Sequence, residues 1–235
     1  MDTEQNAVVI YTRYERFWHW SQAILIFILA FSGFVIHGTF NVIDFETAVT
    51  IHTYSAILLL LLWLFTTFWN FTTGNWKQFI PRIQGLPATI RYYAWDMLFG
   101  EPHPHKKTMK RKQNALQGLS YLTFMIIIGP ALWISGIIYL TYDLWNVMEG
   151  SQTLFQAVTF FHTAAAFLIM AFAFLHIYMT TTGKTPFHYI KTMITGVETI
   201  ELTKAEKAYF AEQHPGLLRD HDKQHPKLLR DNEYD

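Results

Sequence analysis

The chain has 235 residues, of which 51% are hydrophobic and 17% aromatic, and its formal net charge is zero. This composition places it among membrane proteins, and the neutral charge gives no support for a nucleic-acid partner. Cysteine is absent. Since a disulfide, a cysteine-ligated iron–sulfur cluster and a covalently attached c-type haem all require a thiol, none of them is expected within the chain.

Four apolar runs are long enough to cross a bilayer as helices, and each has aromatic side chains near its ends. They cover residues 17–36, 51–71, 116–140 and 154–181. The expected fold class is therefore all-α, a transmembrane four-helix up-and-down bundle. We divide the chain into a transmembrane domain, residues 1–183, and a cytoplasmic C-terminal tail, residues 184–235. Because the N-terminus lacks a small-residue cleavage site, the first run is expected to stay in the mature protein.

The distribution of cations predicts the orientation of this bundle. The connections after the first and third runs, residues 38–50 and 141–153, contain acidic residues but no Lys or Arg, whereas all 18 cations lie on the other side. By the positive-inside rule, both termini and the middle connection of this multi-pass protein are expected to be cytoplasmic. The middle connection, residues 72–113, is too long for a plain loop, and its segment 87–99 has the pattern of an interfacial amphipathic helix.

Histidines occur inside these apolar runs, where an ionisable side chain needs a specific role. His162 and His176 are fourteen residues apart in the fourth run, a spacing that gives about 21 Å of helical rise and nearly the same face. In the antiparallel order, His19 comes level with His176 on the cytoplasmic side, and His52 comes level with His162 on the outer side. We name these the inner pair and the outer pair. One pair per leaflet is the arrangement that two low-spin haem groups with two imidazole ligands each require.

His37 is a competitor for the outer site. It lies eighteen residues, five helical turns, after His19 and therefore shares its face. Because Gly38 follows directly, the helix is expected to end there and to leave His37 in the headgroup zone. His52 is therefore favoured as the outer ligand.

The predicted cytoplasmic mouth of the third run carries a polar cluster, Gln113, Asn114 and Gln117. Amide side chains there can hydrogen-bond a quinone carbonyl and take part in proton delivery. Capping of the helix by Asn114 is the alternative. The first and third runs also contain small residues that let helices or a macrocycle approach closely, or that serve helix packing alone: Gly33, Gly129, Ser135 and Gly136.

Several segments resemble a known family. They are RFWHW at 16–20, the region of His52, KQNALQ at 112–117, FHTAAAF at 161–167 and LHIYM at 175–179. Through them, residues 13–215 resemble the four-helix dihaem cytochrome b subunits of respiratory complexes, namely the gamma subunit of nitrate-linked formate dehydrogenase and the cytochrome b subunits of thiosulfate reductase and nickel-iron hydrogenase.

The resemblance implies cofactors and site residues. It implies two haem b groups, the inner one ligated by His19 and His176 and the outer one by the outer pair. It also implies a quinone, menaquinone or ubiquinone, that is contacted by Asn114 close to His176. Together with Gln117 from the polar cluster, these two residues form the predicted quinone site.

The expected function is that of a membrane-anchoring dihaem cytochrome b subunit of a respiratory oxidoreductase. Such an electron-transfer subunit carries electrons between an outward-facing periplasmic partner and the quinone pool on the cytoplasmic side. The expected partner is a molybdenum enzyme with an iron–sulfur subunit, a hydrogenase or a multihaem cytochrome c. Two alternatives stay open: a stand-alone transmembrane cytochrome that reduces an external acceptor, and a non-haem transporter with a histidine proton relay. The direction of electron flow also stays open, because haem potentials depend on contacts around the ligands.

Overall fold

The structure is a computed structural model that describes residues 3–80, 84–101, 114–183, 185–213 and 215–219. Gln113, one member of the predicted polar cluster, lies outside the described residues. The helices and strands in chain order are β1 Thr3–Val9, α1 Arg13–Ile36, α2 Phe45–Thr72, α3 Leu86–Ala94, α4 Ala115–Thr123, α5 Gly129–Leu140, α6 Tyr142–Trp145, α7 Ser151–Thr180, α8 His188–Thr195, β2 Val197–Thr203, α9 Lys204–Gln213 and β3 Leu218–Arg219.

The chain forms two compact units. Among the described residues, the membrane unit comprises residues 18–80, 84–101 and 114–179, and the terminal unit comprises residues 3–17, 180–183, 185–213 and 215–219. Both histidine pairs of the sequence analysis belong to the membrane unit. The candidate site therefore lies within one compact body.

Four helices in the described part of the chain are long and apolar enough to cross a membrane: α1, α2, the continuous span Ala115–Leu140, and α7. Their mean hydropathy lies between 1.8 and 2.0. The predicted fold class, a helical protein with four apolar helices of spanning length, is thereby confirmed.

The ends of these helices follow from local chemistry. Helix α1 ends at Ile36, and Gly38 takes up a φ of 73° just beyond it, a conformation that glycine adopts without steric cost. The predicted end of the first run is thus confirmed. Helix α2 begins after Asp44, whose carboxylate accepts a hydrogen bond from the backbone N–H of Thr47 over 2.8 Å. The hydrogen bonds from Thr47 lower the pKa of Asp44 below its usual value.

The third spanning helix is not regular along its length. A π-helical segment, Phe124–Ile128, connects α4 to α5. Pro130 stands in the first turn of α5. Since proline has no backbone N–H and its ring collides with the carbonyl of the fourth residue before it, a wider turn before Pro130 accommodates it. The predicted run 116–140 is therefore one span with a local change of helical register.

The interior of the membrane unit is made of small side chains, and many of its large apolar side chains point outward. The described residues of this unit that are buried are Ser32, Val35, Ala48, Ser55, Thr66, Thr89, Asn114, Gly118, Gly129, Ser135, Ser151, Val158 and Ala165. By contrast, Phe27, Leu61, Ile126 and Phe174 are more than half exposed. In a bilayer, close approach through small residues drives helix association, and large apolar residues face the lipid. The packing is that of a membrane protein.

A helix is present where the interfacial helix is predicted, but it is shorter than the segment 87–99. It is α3, which ends at Ala94 because Trp95 leaves helical geometry with φ −142° and ψ −60°. A single 3₁₀ turn, Asp96–Phe99, follows it. Arg91 Nε lies 3.3 Å from Asp96 Oδ1 and links the helix to that turn.

The terminal unit contains a three-stranded antiparallel sheet in the order β2-β1-β3, which the sequence analysis did not predict. Strand β1 pairs with β2 from Thr3 opposite Thr203 to Val9 opposite Val197. Its core includes the fully buried Val8. The turn before β2 needs Gly196, because a Cβ there would lie 2.5 Å from the carbonyl oxygen of Tyr11.

Candidate functional site

The outer pair is brought together by α2 and α7. The ring centres of His52 and His162 lie 6.3 Å apart, and the ring planes make an angle of 66°. Both side chains are half-buried within the bundle. The structure thus brings together the two imidazoles that the sequence analysis paired because of their predicted depth in the membrane.

Each imidazole of the outer pair is held by a serine of a neighbouring span. Ser32 Oγ lies 3.0 Å from Nδ1 of His52 and 2.8 Å from the carbonyl oxygen of Ile28. Ser135 Oγ lies 3.0 Å from Nδ1 of His162 and also bonds to the carbonyl oxygen of Ala131. In both cases the second ring nitrogen, Nε2, is left for another partner.

A glycine follows each of these serines and lies against the same imidazole. A Cβ on Gly33 would stand 3.5 Å from Cε1 of His52, which is ordinary van der Waals contact. A Cβ on Gly136 would stand 3.3 Å from Cε1 of His162, which is tighter. The absent side chains leave room beside both rings of the outer pair.

The inner pair has the same spacing and different surroundings. The ring centres of His19 and His176 lie 6.1 Å apart, with an angle of 49° between the planes. Phe172 stacks on His176 at 5.9 Å and 13°, and Tyr121 contacts Phe172 edge-on at 6.1 Å. The buried polar atoms without a hydrogen-bond partner among the described residues include Nδ1 of His19, and Oγ1 of Thr66, which lies fourteen residues after His52.

Both pairs fit an iron ion placed between the rings. An imidazole nitrogen binds a metal at about 2 Å and its ring centre lies roughly 1.1 Å behind, so two imidazoles on opposite sides of one ion have ring centres ~6.2 Å apart. The observed separations are 6.1 and 6.3 Å. Within the described ranges, no three or more His, Cys, Asp or Glu side chains form a metal-binding group. Each pair offers two imidazoles, the number that a haem iron held by two histidines would use.

His37, the competitor for the outer site, does not reach the ring of His162. Its Nε2 lies 3.3 Å from Oγ1 of Thr163, the next residue along α7. The His37 side chain is exposed beyond the end of α1. Of the two candidates, the structure places His52 opposite His162.

The predicted quinone residues Asn114 and Gln117 form a capping box at the start of α4. Oδ1 of Asn114 accepts from the backbone N–H of Gln117 over 2.8 Å, and Oε1 of Gln117 accepts from the backbone N–H of Asn114 over 3.1 Å. The capping alternative is therefore observed. Asn114 is buried, and its Nδ2 donates to the hydroxyl oxygen of Tyr93 over 3.1 Å.

The sequence analysis missed Tyr93 and Ser32. Tyr93 lies in the predicted interfacial helix, and the signal in the sequence was its hydroxyl, which usually finds a hydrogen-bond partner when the ring is buried. Ser32 and Ser135 each precede a glycine inside an apolar run. This repeated Ser-Gly pair was the available signal for the contacts to the outer pair.

Comparison with known proteins adds independent information. The family model described as prokaryotic cytochrome b561 matches residues 10–196, a range that contains both histidine pairs, Asn114 and Gln117. A protein named as a cytochrome, YdhU of Escherichia coli (strain K12), is 30% identical to the chain over 198 residues. The aligned residues are 80% of the chain and 74% of that protein.

Proposed function

Because the chain belongs to the prokaryotic cytochrome b561 family, and is thus a membrane cytochrome b of electron transport, we propose that it holds two haem b groups. The inner pair ligates one and the outer pair the other. The observation that carries this proposal is the spacing of the rings, 6.1 Å in the inner pair and 6.3 Å in the outer pair. One histidine pair with a spacing suited to iron would support one haem. Two such pairs support a path for electrons through the bilayer.

The residues of the two sites serve electron transfer rather than substrate turnover at iron. Haem b, when bound, supplies one-electron exchange between ferric and ferrous iron. Each pair would hold the haem iron through two imidazoles, and a site with two protein ligands would leave no position on the iron for a substrate. Gly33 and Gly136 leave space beside the outer rings, while Phe172 packs flat on His176 at the inner site. The chain provides ligands, space and an apolar wall.

We propose that a quinone exchanges electrons with the inner haem beside Asn114, Gln117 and His176. The capping box and the bond to Tyr93 hold the Asn114 amide in one orientation. Nδ2 carries two N–H bonds, and the hydrogen bonds seen among the described residues use one of them. The other is a donor suited to a quinone carbonyl. A fixed donor costs little conformational entropy on binding.

On the opposite side we propose docking of a redox partner in a bacterial inner membrane. The connection between α5 and α7 carries three exposed apolar side chains: Leu144 at 80%, Val147 at 89% and Met148 at 63%. It also contains Asp143 and Glu149 and no cation. An apolar patch with an acidic rim suits a partner with a basic rim. The proposed partner is a molybdenum enzyme with an iron–sulfur subunit, a hydrogenase or a multihaem cytochrome c.

Haem stoichiometry tests the proposed function. The full chain is purified in detergent, its b-type haem is counted against protein, and a redox titration is followed in the α band. We expect two haem b groups per chain and two one-electron waves. A stoichiometry of one would contradict the dihaem proposal. Absence of b-type absorbance would contradict haem binding altogether and return the histidines to a non-haem relay.

A further inference from the structure

We propose that Ser32 and Ser135 are positioning residues: they set the tautomer of both outer-pair imidazoles and lower the reduction potential of the outer haem. The inference rests on the proposed function, because it needs iron between His52 and His162. It concerns the hydrogen bonds at Nδ1 of each ring, on the side away from the metal-binding Nε2. Binding of iron at Nε2 does not by itself require them.

The tautomer follows from the proton count at each serine. A hydroxyl has one proton. In Ser32 that proton points to the carbonyl oxygen of Ile28, 2.8 Å away, since a carbonyl can only accept. The 3.0 Å contact between Ser32 Oγ and Nδ1 of His52 therefore needs its proton from the ring. His52 is N–H at Nδ1, and Nε2 keeps the lone pair that binds a metal.

Ser135 repeats this arrangement on the other ligand. Its hydroxyl bonds to the carbonyl oxygen of Ala131 and lies 3.0 Å from Nδ1 of His162. The imidazole of His162 is thereby also assigned Nδ1–H. Two serines on two different spans thus prepare two facing rings for the same ion. An arrangement that occurs on both ligands is not explained by helix packing on one side.

These contacts affect the electronic properties of the ligand. A hydrogen bond from Nδ1–H to an acceptor fixes the ring and raises the basicity of the metal-binding nitrogen. A more basic ligand stabilises ferric iron over ferrous iron and so lowers the reduction potential. The O–H of each serine donates to a backbone carbonyl, and this polarisation strengthens the serine oxygen as an acceptor of the hydrogen bond from Nδ1–H.

In the inner pair, one of the two imidazoles lacks such a hydrogen bond at Nδ1. Nδ1 of His19 is buried and has no hydrogen-bond partner in the part of the chain that the structure describes. The two proposed haem sites therefore differ in the support of their ligands. We infer that the serines contribute to a difference in potential between the two haems, with the outer haem shifted downward.

The test uses Ser32→Ala and Ser135→Ala in the full chain, with Ser120→Ala as matched control. Ser120 makes the same type of bond, to the carbonyl of Leu116 over 2.9 Å, and the hydrogen bonds it forms with described residues do not include a histidine. The readouts are a redox titration and the low-temperature EPR spectrum of the ferric protein. We expect one of the two waves to rise in each serine variant by about 59 mV, a tenfold change in the equilibrium. The other wave and both waves of Ser120→Ala stay in place.

Two further variants keep the result decisive. His52→Ala removes the outer haem, so the single wave it retains should not respond to Ser135→Ala. Ser135→Ala could also disturb haem binding through packing. Ser135→Thr keeps the hydroxyl, and we expect it to have the wild-type potential and EPR signature. Unchanged potentials in both alanine variants, or equal damage by alanine and threonine, would overturn the inference. Absence of haem from the wild-type chain would instead contradict the proposed function.

Discussion

Nδ2 of Asn114 donates a hydrogen bond to the hydroxyl oxygen of Tyr93 over 3.1 Å, and so joins the start of α4 to α3. The other end of the same amide, Oδ1, caps α4 by accepting from the backbone N–H of Gln117. The cap uses the oxygen, whereas the proposed quinone contact uses the nitrogen. The two roles that the sequence left as alternatives therefore coexist in one side chain, and a substitution can separate them.

Asn114→Ser should weaken quinone binding and keep the helix cap. Serine caps helices as well as asparagine does but has no amide N–H. We expect the dissociation constant of a soluble naphthoquinone, measured by its effect on the haem spectrum, to rise about fivefold, because one hydrogen bond to a neutral group contributes about 1 kcal/mol. Asn114→Ala is the comparison that loses both roles and in addition about 1 kcal/mol of helix stability. Wild-type quinone affinity in Asn114→Ser would leave capping as the function of this residue.

Gly136→Ala should reduce outer haem content more than Gly33→Ala. The added methyl would lie 3.3 Å from the ring of His162 in the first variant and 3.5 Å from the ring of His52 in the second. Overpacking of a filled interior costs about 1–3 kcal/mol, and an ordinary contact costs less. Haem counts per chain measure the difference. Equal haem content in the two variants would show that the space left by the two glycines does not determine the positions of the rings.

His52→Ala should lose one haem, whereas His37→Ala should keep both. His52 faces His162 with a ring-centre distance of 6.3 Å, while the exposed His37 contacts Thr163. The measurement is again haem per chain, together with the number of redox waves. The opposite pattern, one haem lost with His37 and none with His52, would reassign the outer ligand.

Val147→Asp together with Leu144→Ser should weaken association with a redox partner and leave the haem spectrum unchanged. Both side chains are exposed, at 89% and 80%, in the connection between α5 and α7. An added charge on an apolar patch is costly to bury in an interface. Pull-down of the tagged chain from its own membranes measures the association, and Ile57→Ser, at an exposed position in the middle of α2, provides the control. A partner that is retained in the double variant and lost in the control would place the interface elsewhere.

Most of the helical frame could be predicted from the sequence because the bilayer imposes it. An apolar run of bilayer length has one stable conformation in lipid, a helix. The pairing of His19 with His176 and of His52 with His162 followed from depth alone, since the rise per residue and the up-down order set the level of each ring. The role of these side chains as iron ligands stays a prediction.

Three structural features could not be predicted from the sequence. Strand β1 pairs with β2 about 190 residues later, and local patterns do not indicate such partners. The π-helical segment before Gly129 changes the rotation of Ser135 and Gly136 relative to α4, and a proline in the sequence does not specify that geometry. Tyr93 reaches Asn114 across the connection between α3 and α4, and a hydrogen bond between side chains of two elements depends on how those elements pack.

Replacement of the two histidines of α7 should have different effects on haem content and quinone binding. His176→Ala should remove the inner haem and also weaken quinone binding, because the proposed quinone site lies beside His176. His162→Ala should remove the outer haem and leave naphthoquinone affinity within about twofold of wild type, since fourteen residues of helix, about 21 Å, separate the two rings. Haem counts and naphthoquinone titration on the same preparations measure both effects. Loss of quinone binding in His162→Ala with the inner haem intact would move the quinone to the outer site, whereas wild-type quinone affinity in His176→Ala would remove it from the inner one.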